Sequence, residues 1–273
     1  MTTGCEAAPK PPDDPASCSL EAAPAAQPVG GDANGDGLVD VSDGASVARY
    51  LLAGGPAPVC PTGVDLVPDG EVNMGDIVAI WYSVGPKSVP YRPEVTAADC
   101  PLVERTADLP CGDGLAMGVE APATVTGAEG TPTTATATVS VSSTDLPVEA
   151  WSFQLTADGC TLDSGTTGGT LAAEKDDTPP GLRQGGVAWQ SVTGPVANVL
   201  TVLDWRHQTG LPIGSRQTVH SFTVSGTPTA GCAVCTLTLT AGDPASGVET
   251  VLSAEGWRYV PALGSATVEF CPG

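Results

Sequence analysis

The sequence predicts a mixed fold, a small α-helical unit built on two acidic loops followed by an antiparallel β-sandwich. Three observations predict it. Oxygen-bearing side chains recur at matched spacing in two twelve-residue stretches of the N-terminal third, and each stretch runs into apolar residues at helical intervals. From about residue 133 the apolar pattern changes to strict alternation in short runs bounded by turn residues. Gly (34) and Pro (26) are abundant, which suits many short strands joined by turns.

Residues 1 to 30 are rich in Pro and Ala, with turn clusters such as Pro11-Pro-Asp-Asp-Pro15, and are expected to form an extended arm, pinned by a Cys5–Cys18 bridge. The first loop follows, Asp32-Ala-Asn-Gly-Asp-Gly-Leu-Val-Asp-Val-Ser-Asp43. Calcium takes six to eight oxygens, and a twelve-residue loop can supply them from positions 1, 3, 5, 9 and 12 plus a main-chain carbonyl at position 7, with glycine turning at position 6. Here the ligands are Asp32, Asn34, Asp36, the Leu38 carbonyl, Asp40 and Asp43, with Gly37 at the turn. Position 12 is Asp rather than Glu, so the helix carrying it must lie closer to the ion. An ordinary Asn-Gly or Asp-Gly surface turn is the competing reading, and five liganding residues in register before a helical pattern argue against it.

After this loop Val47, Tyr50 and Leu51 recur at helical spacing, and Gly54-Gly-Pro56 ends the run. A second loop, Asp65-Leu-Val-Pro-Asp-Gly-Glu-Val-Asn-Met-Gly-Asp76, has Gly70 at position 6 and would ligate through Asp65, Asp69, the Glu71 carbonyl, Asn73 and Asp76. Val67 at position 3 offers no side-chain oxygen, so the second site is expected to bind calcium more weakly. Ile77, Ile80, Trp81 and Val84 then mark a second helix before Gly85-Pro86. Counted from position 12 of each loop, Val47 matches Ile80, as two loop-helix units packed about a pseudo-twofold require.

These paired loops, each followed by a helix, make residues 31 to 86 resemble a dockerin type I domain over nearly their whole length. That resemblance implies two calcium ions and a partner, cohesin, met by the helices after the loops. Positions 10 and 11 help choose the partner in that family. Here they are Val41, Ser42 and Met74, Gly75, which are not symmetric, so two-way docking is not implied. Val41, Ser42, Arg49, Tyr50, Met74 and Trp81 are the candidate partner-binding residues. For Arg49, Tyr50, Trp81 and Tyr82 the competing reading is plain packing between helices.

Residues 87 to 110 are irregular, and with Cys100 and Cys111 they read as a cross-linked connector to a second domain over 111 to 273. Thr133 to Ser142 alternates strictly, placing Ala135, Ala137, Val139 and Val141 on one face. Ala150 to Leu155 follows with Trp151, Phe153 and Leu155 inward, then Val199 to Trp205, His220 to Val224, Thr236 to Thr240 and Ala266 to Phe270. Turns separate these runs, and the fold class that follows is an antiparallel β-sandwich. A Val-Ser-Val strand, a turn, and then Trp-Ser-Phe-Gln-Leu closing on Asp158-Gly159 loosely resembles the opening of cohesin and carbohydrate-binding sandwiches. The stretch from Thr161 to Gly186 reads as an insertion.

Nine cysteines imply disulfides and an oxidising, extracellular or cell-surface location. Their number is odd, leaving one free, modified or bonded to another chain. Cys232-Ala-Val-Cys235 runs straight into a strand pattern, so two structural half-cystines are expected there rather than a redox or zinc site. No signal-peptide core follows Met1, and no run is long and apolar enough to span a membrane; Thr-Gly-Cys5 only faintly matches a lipoprotein cleavage box. A net charge of −21 argues against nucleic acid and anionic membranes as partners.

No catalytic constellation emerges. His207 and His220 sit at a strand end and within strand alternation, so satisfied structural roles are expected; Trp151, Trp189, Trp205 and Trp257 read as core. Paired carboxylates could hide in so acidic a chain. The leading functional expectation is an extracellular non-enzymatic structural subunit that self-associates head to tail, through a calcium-ordered dockerin-like domain docking on the sandwich of another copy, into filaments or a surface assembly. The alternatives are a cargo protein anchored to a separate cohesin scaffold with a polysaccharide-binding sandwich, and an enzyme subunit with an unrecognised site.

Overall fold

The computed structural model describes residues 29–84, 114–144, 146–167, 170, 187–202, 210–214, 216–243, 248–254 and 256–273. Cys5, Cys18, Cys100, Cys111, Trp205, His207, the connector and most of the 161–186 stretch lie outside the described residues, as do the side chains of Tyr82, Trp189 and Trp257.

The helical unit contains α1 (Val41–Ala53), α2 (Pro61–Val64) and α3 (Met74–Val84). Helix α1 begins where it does because Asp40 is its N-cap. The Asp40 carboxylate accepts from the Ser42 amide, and the Asp43 carboxylate reaches back to the Asp40 amide, a reciprocal capping box. Gly54, in the left-handed conformation, closes the helix. The one-turn α2 starts with Pro61, whose missing N–H costs nothing at a helix start. Helices α1 and α3 pack through Val47, Ile77, Ile80 and Trp81, all buried. At Gly44 the helices approach so closely that a β-carbon would lie 1.9 Å from Trp81 Nε1.

The strands are β1 (Ala116–Glu120), β2 (Thr124–Gly127), β3 (Thr133–Ser142), β4 (Val148–Asp158) and β5 (Thr161–Thr166). They continue with β6 (Val187–Thr193), β7 (Val196–Val202), β8 (Gln217–Gly226), β9 (Ala233–Thr240) and β10 (Gly242–Asp243). The last five are β11 (Val248–Glu249), β12 (Val251–Ala254), β13 (Trp257–Tyr259), β14 (Ala262–Leu263) and β15 (Ser265–Pro272). One sheet runs β14-β1-β3-β8-β5. The other runs β13-β12-β4-β9-β15-β2, with β7 along the second edge of β4 and β6 outside it. The sheets are mixed, which corrects a purely antiparallel reading: β1–β14 and β2–β15 are parallel. Both parallel partners are short edge strands, added where connections return along the sandwich rather than by a hairpin.

Between the sheets lies the core, and the alternation read from the sequence lines it. Ala135, Ala137, Val139 and Val141 of β3 face Trp151, Phe153 and Leu155 of β4, with Phe222, Val224, Leu237 and Phe270 completing the layer. Cys160–Cys235 and Cys232–Cys271 are disulfides, so Cys232 and Cys235 are two structural half-cystines. Cys60 is disulfide-bonded as well.

The first half of β4 departs from alternation: Val148 to Phe153 are buried on both faces. The reason is the helical unit. Ala150, Leu200 of β7 and Val251 of β12, on the outer face, share one apolar cluster with Val41, Val47, Ala48 and Trp81. Ser152 and Ser253, on the same outer face, are also fully buried. Small side chains on that face let a helix lie close to the sheet. At the rim, Gly256 has a positive φ of 75°, and a β-carbon there would sit 3.3 Å from the Ser46 Cα of α1.

Candidate metal centre

Six hydrogen bonds recur in the two loops at matching positions. In the first, Asp32 accepts from the amides of Asp36 and Gly37, Asp36 from Leu38, Asp43 from Asn34 and Asp40, and Asp40 from Ser42. In the second, Asp65 accepts from Asp69 and Gly70, Asp69 from Glu71, Asp76 from Val67 and Asn73, and Asn73 from Gly75. Each residue corresponds to the one at the same loop position. Gly37 and Gly70, at position 6, have φ of 85° and 86°, where a side chain would be strained. The loops thus share a turn and six bonds to matching acceptor side chains.

Their surroundings differ. In the first loop Asp32, Asn34, Asp40 and Asp43 are buried. Burial and the neighbouring carboxylates drive Asp36 up to about 6. Burial, followed by the charges of Asp40, Asp36 and Asp32, raises Asp43 well above the usual carboxylate range; burial also raises Asp32 and Asp40. Four carboxylates, Asp32, Asp40 and Asp43 buried and Asp36 half-buried, penalise one another's ionisation and make an electrostatic setting that a hard divalent cation relieves. The donor set therefore fits calcium. In the second loop Asp69 and Glu71 are exposed, and only Asp76 of the expected ligands is fully buried. Val67 stands 43% exposed, supplying no oxygen at position 3. The Asn73 amide donates to Asp69 and to the Glu71 carbonyl, tying up part of that loop's oxygens.

Asp40 has further engagements. One of its oxygens accepts from both the amide and the hydroxyl of Ser42, each at 2.7 Å. The other lies 2.7 Å from Nε of Arg258, on β13 of the sandwich. Arg258 also pairs with Glu249 at 2.5 Å, and Arg49 of α1 approaches Glu149 of β4 at 3.7 Å. Position 9 of such loops commonly meets its ion through water, which this arrangement permits. The Arg258 contact was not foreseeable from spacing, since it joins residues far apart in the chain.

Of the candidate partner-binding residues, Tyr50 and Met74 are exposed. Val41, Ser42 and Trp81 are buried inside the chain, and Arg49 faces Glu149. His220 is fully buried against Phe153 and Phe222, but neither ring nitrogen has a hydrogen-bond partner among the described residues, so the expectation of a satisfied histidine is corrected. Desolvation lowers it to about 4, keeping it neutral.

Residues 30–81 match the family model of the Dockerin type I domain. Dockerin type I domains bind calcium and are non-catalytic modules. The resemblance read from the loops is thereby borne out for that segment. Among solved structures, the sixth cohesin of scaffoldin B from Acetivibrio cellulolyticus, in complex with a Cel5 dockerin mutant, is 16% identical, with 59% of this chain and 99% of that chain covered at a TM-score of 0.40. A cohesin module of a family 33 glycoside hydrolase from Clostridium perfringens is 14% identical, covering 59% and 98% at 0.39. A type III cohesin of the ScaE anchoring scaffoldin from Ruminococcus flavefaciens is 13% identical, covering 58% and 88% at 0.40. No curated protein matches the sequence. Among the described residues no helix is long and apolar enough to cross a membrane.

Proposed function

We propose that this chain is an extracellular, non-enzymatic structural subunit that self-associates head to tail, its calcium-ordered helical unit meeting the sandwich of a neighbouring copy. The reading is carried by how the surface of the helical unit is divided. One face is taken up by the chain's own sandwich, through Ala150, Leu200 and Val251. Away from that seat the unit exposes Leu38, Tyr50, Leu52, Val67 and Met74, five of the nine exposed large hydrophobic residues among those described. So small a unit holding more than half of them has apolar surface to cover. A unit seated on its own sandwich presents that surface in a fixed direction, and a fixed heterologous contact that does not close on itself propagates as a filament.

Calcium enters through Asp32, Asn34, Asp36, the Leu38 carbonyl, Asp40 and Asp43, and more weakly through Asp65, Asp69, the Glu71 carbonyl, Asn73 and Asp76. The disulfides favour an oxidising compartment. Light scattering of the purified chain with calcium, after chelation, and after chelation with reductant tests the proposal. Large species that collapse on chelation, or only with added reductant, are expected; a monomer under all three conditions overturns self-assembly.

The same exposed Tyr50 and Met74 favour a second reading, in which the unit anchors the chain to a separate cohesin-type scaffold. In that case the chain stays monomeric with calcium and forms a one-to-one complex with an added cohesin. The Met74→Asp variant weakens that complex.

A further inference from the structure

We propose that Arg258 is a built-in competitor for calcium at the first loop, a sandwich residue that sets the affinity of a site in the helical unit. This rests on the calcium reading of the loops given above. Arg258 lies on β13, outside the loop in sequence, yet its Nε is 2.7 Å from Asp40 Oδ2. Its charge is felt at two loop positions, because Asp40 and Asp36 both interact with it electrostatically. The guanidinium is only about one-fifth exposed, so water screens it incompletely.

Two consequences point the same way. A calcium ion entering the loop meets a fixed positive charge already opposing the carboxylates it seeks, and two cations in one poorly solvated cluster repel. Arg258 also pairs with Asp40 Oδ2 while Ser42 donates twice to Oδ1, so an ion or its water has to share these oxygens with partners already in place. Glu249, at 2.5 Å from Arg258, offsets part of its charge, and the Arg49–Glu149 pair lies elsewhere along α1. No ion pair from the sandwich to the second loop exists among the described residues. The first loop thus has the fuller ligand set and a resident opponent; the second has the poorer set and none. By linkage, calcium in the first loop weakens the Arg258 clasp by the same factor that Arg258 weakens calcium.

Calcium titration calorimetry of the full chain tests this. Arg258→Gln keeps hydrogen-bond donors and removes the charge; one of the two binding steps is expected to tighten by about fivefold or more, within the usual range for coupled sites, with the other unmoved. Glu249→Gln frees more of the Arg258 charge and is expected to weaken the same step. Arg216→Gln removes a distant exposed cation paired with Glu120 and controls for net charge, with no change expected. Circular dichroism confirms that each variant is folded. Should Arg258→Gln misfold, the Glu249→Gln result alone decides. Calcium uptake with neither step tightened in Arg258→Gln, or with a step tightened in Glu249→Gln, overturns the proposal and leaves the calcium reading intact. No uptake by the unmodified chain overturns both.

Discussion

Single residues set the chemistry of the first loop. Asp36 and Asp43 lie in a cluster where burial makes each ionised carboxylate costly, so a bound calcium would let them ionise together. Asp36→Ala or Asp43→Ala should abolish calcium ordering of that loop, seen as loss of the tighter step in calorimetry, whereas Asp69→Ala should change uptake less. His220 makes a separate prediction. Its ordinary value is near 6.5 and burial lowers it to about 4, so the unfolded chain binds the proton more readily than the folded one. Stability is full above pH 6.5 and falls as pH drops towards 4, by about 1.4 kcal/mol per unit and about 3 kcal/mol in all. His220→Phe should flatten that slope in urea denaturation between pH 4 and 6.5. The loop positions proposed to hold calcium could be named from the sequence because such a loop is local, with its donor positions fixed by spacing. Arg258 was not, since only the fold brings β13 to Asp40.

At the level of elements, legibility followed burial geometry. The strands β3 and the second half of β4 alternate because one face meets the core and the other meets solvent. Their inward residues could be named from the sequence alone. The outer face at Ala150, Ser152, Leu200 and Val251 could not, because small and hydroxyl residues look like a solvent face until a helix is found upon it. The short strands β2, β10, β11, β13 and β14 escaped for another reason: two to four residues are too few to show a period. Where α1 meets α3, the close approach depends on Gly44. Gly44→Ala raises helix propensity by about 1 kcal/mol but drives a β-carbon into Trp81. Overpacking of this kind costs about 1–3 kcal/mol, so a net loss should appear as a lowered denaturant midpoint.

The whole molecule is a sandwich with a metal-binding unit seated on one sheet, sharing a hydrophobic cluster across the junction. Shared burial makes the two parts unfold together. Leu200→Asp places a charge beneath the helical unit, and calorimetry should then split one calcium-dependent transition into two. The tying together of the C-terminal strands also bears on load. In the head-to-tail assembly proposed above, tension would enter one chain at its contact with the next and would have to cross the sandwich. Cys160–Cys235 fastens the turn after β4 to β9, and Cys232–Cys271 fastens the start of β9 to β15. A pull that would otherwise unzip hydrogen bonds one rung at a time meets two covalent rivets on the same strand. Under oxidising conditions β9 and β15 cannot be peeled apart beyond Cys232–Cys271, nor β9 from the turn after β4 beyond Cys160–Cys235, and the sandwich gains a mechanical limit that reduction removes.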